Sequence, residues 1–252
     1  MTDRDDLGTA VPGRQPVRRV VSLVPSLTEA VATSAPDLLV GATDWCTHPA
    51  DLDVSRVRGT KNPDVGAIRA LAPDLVIANR EENRELDVRR LREAGLPVWV
   101  TVIETVDEAL ESLQRVFEVA LGRPTPAWLR RAADEWGGPD PAPLARVAVP
   151  IWRDPWMVVG GRTFTGSLLR RAGLVNVFHD SADRYPHTDP GVIAAARPEL
   201  VVLPDEPYVF TASDGPEAFP GLRTVLAEGR LLTWYGPSLV GARSRISQLA
   251  SG

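Results

Sequence analysis

The chain is poor in lysine, cysteine, histidine and tyrosine, and each scarcity removes a class of reading. Lys61 is the one lysine; every other cationic side chain is arginine. With 28 Lys plus Arg against 33 Asp plus Glu the net charge is −5, and the basic face that nucleic acid requires is not expected. Cys46 is the single cysteine, so no disulfide can form within the chain. Cys46 and His48 make an isolated C-x-H, with no second pair at zinc-site spacing. His48, His179 and His187 are the only histidines and give a nucleophile–histidine–acid triad little to draw on. There is no G-x-S-x-G, no Walker-type glycine loop and no G-x-G-x-x-G. No apolar run approaches the roughly 18 residues of a membrane-spanning helix. The opening "MTDRDDLGTAVPGRQPVRR" carries no apolar segment and no small-residue cleavage site. A disordered start over 1–16 and a cytoplasmic location are therefore expected.

What is present is a repeat. "DVGAIRALAPDLVI" (64–77) is answered by "DPGVIAAARPELVV" (189–202). Asp64, Gly66, Ile68, Ala70, Pro73, Asp74 and Leu75 match Asp189, Gly191, Ile193, Ala195, Pro198, Glu199 and Leu200 at one constant offset, and Glu81 and Glu206 extend the register. A match that holds its register this long points to two similar halves. The 252 residues suffice for two lobes.

The elements follow from period and punctuation. Apolar runs at 18–24, 38–42, 74–78 and 97–102 read as buried strands. Helices are expected from a Ser26/Glu29 capping box, after Asp64, over 84–94, and from a Thr105/Glu108 capping box to Gly122. "PAWLRRAADEW" (126–136) is a further helix with Pro126 in its first turn, and "GGPDPAP" (137–143) breaks it. The alternation then restarts: a strand at 146–152, a helix from Thr165 to Gly173, a helix capped by Asp189, a strand at 199–203 and another at 231–235. Strands alternating with helices define an α/β protein with parallel sheets. The expected domains are an N-terminal α/β lobe over 17–104, a helical connector over 105–144 and a C-terminal α/β lobe over 145–252, with a ligand cleft between two Rossmann-like lobes.

Ligands of open parallel sheets bind beyond the carboxyl ends of the strands. That rule selects 25–26, 43–46, 79–83, 152–156 and 204–208 as the expected cleft walls. The candidate ligand-binding residues are Pro25, Ser26, Asp44, Trp45, Arg80, Glu81, Glu82, Trp152, Arg153, Trp156, Glu206 and Tyr208. The tryptophans could equally be core aromatics. The acids could form a solvated face or pair with Arg80 and Arg153. No catalytic residue and no metal ligand is assigned.

"RRVVSLVPSLTEAV", "LLVGATDWCTHP" and "GTKNPDVGAIRALAPDLVIA", followed by "TFTGSLLRRAGLVNVF" and "IAAARPELVVL", resemble the periplasmic vitamin B12-binding proteins and their iron-siderophore and haem relatives. The resemblance spans roughly residues 18–250. It implies two Rossmann-like lobes joined by a helical backbone, and non-enzymatic binding of a corrinoid or another metal chelate. In that family loop aromatics cover a flat macrocycle, and Trp45, Trp152, Arg153 and Trp156 fall in the matching regions. The chain departs from the family in its opening residues and in a short connecting helix. It also departs at the two positions where family members carry a permease-docking Glu, which align with Gly66 and Gly191. The expectation is a cytoplasmic corrinoid or chelate binder, with no nucleic acid or membrane insertion and no docking to an ABC permease. The alternatives are the substrate-binding component of an importer, an enzyme on a chelatase-like scaffold, and a binder of a cationic ligand held by Glu81 and Glu206.

Overall fold

A computed structural model describes residues 3–12 and 16–251. The chain divides into two compact units. The first holds residues 1–103, 107–131 and 235–237; the second holds 104–106, 132–234 and 238–252. The residues of the expected connector, 105–144, are divided between the two units, 107–131 in the first and 105–106 and 132–144 in the second.

The first unit is built from β1 (Val20–Ser22), α1 (Pro25–Ser34), β2 (Leu39–Ala42), β3 (Ser55–Arg56), β4 (Arg58–Gly59), β5 (Asn62–Pro63), α2 (Val65–Ala70), β6 (Leu75–Asn79), α3 (Glu85–Glu93), β7 (Val98–Thr101) and α4 (Val106–Arg115), which runs on as a π-turn over Val116–Ala120. Its five-stranded sheet has the order β3-β2-β1-β6-β7, and every pairing is parallel. β4 and β5 form a small antiparallel hairpin beside it. Val21, Leu23, Val76, Ala78, Val98 and Val100 bury one face of the sheet with Ile68, Val88 and Leu91 from the covering helices. α4 buries Val106, Ala109 and Leu113, with Val116, Phe117, Ala120 and Leu121 beyond it, the helical spacing read from the sequence. Gly122 ends it at φ 61°, where a side chain would be strained.

α5 (Ala127–Trp136) leads into the second unit, with β8 (Ala145–Ala148), β9 (Pro150–Trp152), β10 (Met157–Val158), α6 (Phe164–Arg171), β11 (Leu174–Asn176), α7 (Pro190–Ala195), β12 (Leu200–Pro204), β13 (Thr224–Ala227), α8 (Gly229–Thr233) and α9 (Ala242–Gln248). Its parallel sheet has the order β11-β8-β12-β13. β8 sits between β11 and β12 as β1 sits between β2 and β6, and β13 lies outside β12 as β7 lies outside β6. The repeat in the sequence is therefore a repeat of topology.

Several expectations are corrected. α1 starts at Pro25, with Val24 at the cap position and no side-chain cap; proline at N1 sets the helical φ earlier than a Ser26 cap would. α6 is capped by Thr163, whose hydroxyl accepts from Gly166 N, two residues before Thr165. The run at 146–152 is two strands, because the chain leaves the main sheet after Ala148 and β9 pairs antiparallel with β10. "LLTWY" is no strand: Gly229–Thr233 is helical, and the edge strand is Thr224–Ala227. Asp205 Oδ1 accepts from Gly229 N at 2.6 Å, which starts a helix where an apolar run alone is ambiguous.

The expected disorder over 1–16 also fails where it can be judged; residues 1, 2 and 13–15 lie outside the described residues. Asp3–Val11 forms a hairpin in which Val11 N donates to Asp3 O, and Asp5 Oδ1 accepts from Leu7 N and Thr9 N. Asp6 N donates to Val100 O, so the hairpin lies on the outer edge of β7. Asp5 pairs with Arg92 at 2.7 Å and Asp6 with Arg115. The acidic character that suggested a solvated tail is neutralised by these two arginines.

A candidate ligand-binding mouth on each unit

In the first unit, asparagines build the rim. Asn79, the last residue of β6, accepts from Glu81 N (2.8 Å) and Glu82 N (3.2 Å) through Oδ1, an Asx-type turn. Asn83 is buried. Its Oδ1 accepts from Asn79 N (2.9 Å), and its Nδ2 donates to Thr60 O (2.9 Å) and Leu23 O (3.3 Å). One side chain thus joins the turn after β6, the β4–β5 hairpin and the loop after β1. Lys61 Nζ donates to Glu81 O at 2.5 Å, and Asp44 N to Arg58 O at 2.9 Å. Trp45 stands on this rim, 67% exposed. A Cβ at Gly59 would lie 3.3 Å from its Nε1, so the hairpin backs the indole. Cys46 faces inward, with Sγ 3.0 Å from Thr28 Oγ1 and 3.1 Å from Thr43 Oγ1. Burial pushes its thiol pKa up, against the hydrogen bonds from those threonines.

In the second unit the rim is aromatic and charged. Trp152, at the end of β9, is 42% exposed and meets Tyr208 edge-on, with centroids 5.8 Å apart. Tyr208 packs on Phe210 at 4.7 Å, Phe210 stacks on Trp156 at 5.8 Å, and Trp156 meets Phe219 at 5.3 Å. The ladder runs from the exposed indole into the core. Arg153 lies over the Trp156 ring, 5.4 Å from its centroid, and its Nη1 is held by Asp214 and Glu217. Asp214 also accepts from the Tyr208 hydroxyl at 2.7 Å. The hydrogen bond donated to Glu217 holds Arg153 above its usual range, and Arg153 in turn holds the Glu217 carboxyl below its own. The hydrogen bond to Asp214 raises Tyr208.

Set against expectation, Asp44, Trp45 and Arg80 are exposed on the first rim, with Pro25, Glu81 and Glu82 half-buried. Ser26 is not presented to solvent: it is buried in the first turn of α1, with its carbonyl close under Gly236. In the second unit Trp152 is exposed and Tyr208 half-buried, but Trp156 is a core residue at 8% exposure. Arg153 is engaged by two acids. Glu206 accepts from Thr233 Oγ1 at 2.9 Å and so is turned towards α8. Sequence reasoning placed Asn79 and Asn83 in the 79–83 wall without assigning either a role, and missed Gly59, Asp214 and Glu217. The asparagines bracketing "NREEN" after an apolar run were the available signal. Asp214 and Glu217 lie in a long loop with no periodicity to place them.

Gly66 and Gly191 occupy matching first turns. Asp64 Oδ1 accepts from Ala67 N, and Asp189 Oδ1 from Val192 N. A Cβ would meet only the capping carboxylate, at 3.3 Å in α2 and 3.1 Å in α7, so no close approach of backbones accounts for the pair.

Among the described residues no three His, Cys, Asp or Glu side chains gather as metal ligands, and no helix is long and apolar enough to cross a membrane. The architecture is that of the two-lobed α/β substrate-binding proteins of the vitamin B12 and iron-siderophore type. No family model matches the chain. A vitamin B12-binding protein of Vibrio parahaemolyticus is 24% identical over 197 residues, 74% of this chain and 70% of that protein. The solved periplasmic vitamin B12-binding protein of Vibrio cholerae superposes with a TM-score of 0.75 at 18% identity, covering 94% of this chain and 97% of that one. A periplasmic haem-binding protein in complex with two haems gives 0.76 at 25% identity, covering 92% and 97%. All three are named as binding proteins. The expected cytoplasmic placement draws no support from them, because the solved ones are periplasmic.

Proposed function

We propose that this chain binds a cobalamin- or haem-type metal chelate without transforming it, as the substrate-binding component of an importer. One observation carries the reading. Of seven tryptophans, five are buried, and the two exposed ones are Trp45, in the loop after β2 of the first parallel sheet, and Trp152, at the end of the short antiparallel strand β9 that follows β8 of the second. An indole left in water at a strand-end loop is a large apolar platform, and a planar macrocycle is the ligand that such a platform covers best. The sequence relatives named for vitamin B12 and the haem-bound structure support the same chemistry. The importer role rests on the family resemblance. Gly66 and Gly191 then mean that any docking to a permease uses contacts other than a carboxylate at those two positions.

Titration with cyanocobalamin and with haemin, followed by tryptophan fluorescence, tests the ligand class. Saturable quenching by either, at one ligand per chain, is expected; no quenching by both overturns the reading. Native mass spectrometry of protein from the producing cells identifies what it carries. Co-purification with a membrane permease tests the importer role.

A further inference from the structure

The second mouth carries more negative than positive charge, and its aromatic hydroxyl is already committed. Asp154, Asp214 and Glu217 all lie within salt-bridge distance of Arg153. Their side chains are substantially open to solvent, whereas that of Arg153 is largely covered. One cation against three carboxylates leaves two negative charges uncompensated beside Trp152 and Tyr208. Arg153 Nη1 is already held by both Asp214 and Glu217, so part of the guanidinium is committed to carboxylates of the protein itself. The Tyr208 hydroxyl donates a hydrogen bond to Asp214, which favours the neutral phenol over a phenolate that could ligate iron.

We propose that this mouth selects a neutral or positively charged planar chelate and rejects a dianionic, carboxylate-bearing porphyrin. The inference deepens the proposed function and rests on it. Like charges facing each other across a binding surface cost affinity and suppress the wrong partner. Two carboxylates of a haem approaching Asp154, Asp214 and Glu217 meet that penalty, whereas the amide-rimmed and overall neutral cyanocobalamin does not. The same aromatic ladder serves either ring, so the discrimination is electrostatic and is screened by salt.

The test compares cyanocobalamin and haemin on the wild-type chain and on two variants, Asp154→Asn and the double variant Asp214→Asn/Glu217→Gln. Wild type is expected to bind cyanocobalamin at least about tenfold more tightly than haemin, and raising the salt concentration should narrow the gap. Both variants should strengthen haemin binding relative to cyanocobalamin and so narrow the gap between the two ligands. Asp154 is exposed and, among the described residues, its side chain pairs with Arg153 alone, so its variant keeps the test valid if the double variant does not fold. Haemin binding as tight as cyanocobalamin, a salt-independent gap, or an iron–phenolate absorption band would overturn the selectivity while leaving the proposed function standing. Failure of both ligands to bind would overturn both.

Discussion

Arg19 and Arg146 do the same work in the two sheets. Arg19, just before β1, donates from Nε and Nη2 to Leu71 O at the end of α2, and its own N donates to Asp74. Arg146, within β8, donates to Ala196 O and Arg197 O at the end of α7, and its N donates to Glu199. Ala72 and Arg197 follow the two helices with positive φ, 44° and 54°. A guanidinium on orphan helix-end carbonyls satisfies them and suits the helix dipole. Both staples lie at the amino ends of their strands, away from the rims. Arg19→Ala and Arg146→Ala should each destabilise by about 1–2 kcal/mol, read as a shift of the urea midpoint, with ligand affinity unchanged. A loss of affinity without loss of stability would contradict this placement.

The N-terminal hairpin gives a second prediction. The Asp5 side chain is fully buried against Arg92, and Asp6 holds Arg115, Ser112 and Val102 N. Removing one partner of a buried pair costs about 3–5 kcal/mol, and Asp5→Ala should approach that range because Arg92 stays partly shielded. Deleting residues 1–12 also uncovers the outer edge of β7, and an open sheet edge is a template for association. The truncated chain should therefore self-associate in sedimentation velocity under conditions where the full chain does not. A monomeric, equally stable truncation would show the hairpin to be dispensable.

How far the fold was legible follows from which signals were local. Both Asp caps, the parallel strands around them and the apolar spacing of α4 could be read directly, because each rests on a few adjacent residues. The end of the second sheet was misread because Leu231 and Leu232 suit a buried helix as well as a strand. What decides between them is the contact of Asp205 with Gly229, which no period in the sequence encodes. On the rims, the strand-end rule selected Trp45, Trp152 and Trp156 alike, and it could not distinguish the exposed Trp152 from the buried Trp156. Four residues apart, one lies over the rim and the other is stacked under it by Phe210 and Phe219. Nor could it show that Arg153 is spent on Asp214 and Glu217, more than 60 positions away.

The exposed tryptophans give the third prediction. Trp45→Ala and Trp152→Ala should each weaken binding of cyanocobalamin or haemin by on the order of 1–3 kcal/mol through lost apolar burial. Stability should change by less than about 0.5 kcal/mol, as at surface positions generally. Trp156→Ala is the contrast: a core aromatic, it should cost about 3–5 kcal/mol of stability. Calorimetric titration and thermal melts separate the two behaviours. Unchanged affinity in both rim variants would remove these indoles from the site.

The last prediction concerns how Trp45 is held. Among the described residues no aromatic ring packs on Trp45 as Tyr208 does on Trp152; the indole is backed by the β4–β5 hairpin at Gly59, and the hairpin is held by Asn83 through Thr60 O. Asn83→Ala leaves Thr60 O, Leu23 O and Asn79 N without that partner. Groups orphaned in this way cost about 1–3 kcal/mol, less where water reaches them. Asn83→Asp keeps the acceptor for Asn79 N but loses the donor to Thr60 and Leu23, so it isolates the link to the hairpin. Gly59→Ala acts from the other side, because its Cβ would crowd the Asn62 side chain at 2.5 Å and the Trp45 indole at 3.3 Å. All three variants should make Trp45 more accessible to acrylamide quenching in a Trp152→Phe background, and should weaken ligand binding less than Trp45→Ala does. An effect as large as Trp45→Ala would place Asn83 or the hairpin in direct contact with the ligand. No change in quenching would show that Trp45 keeps its position without them.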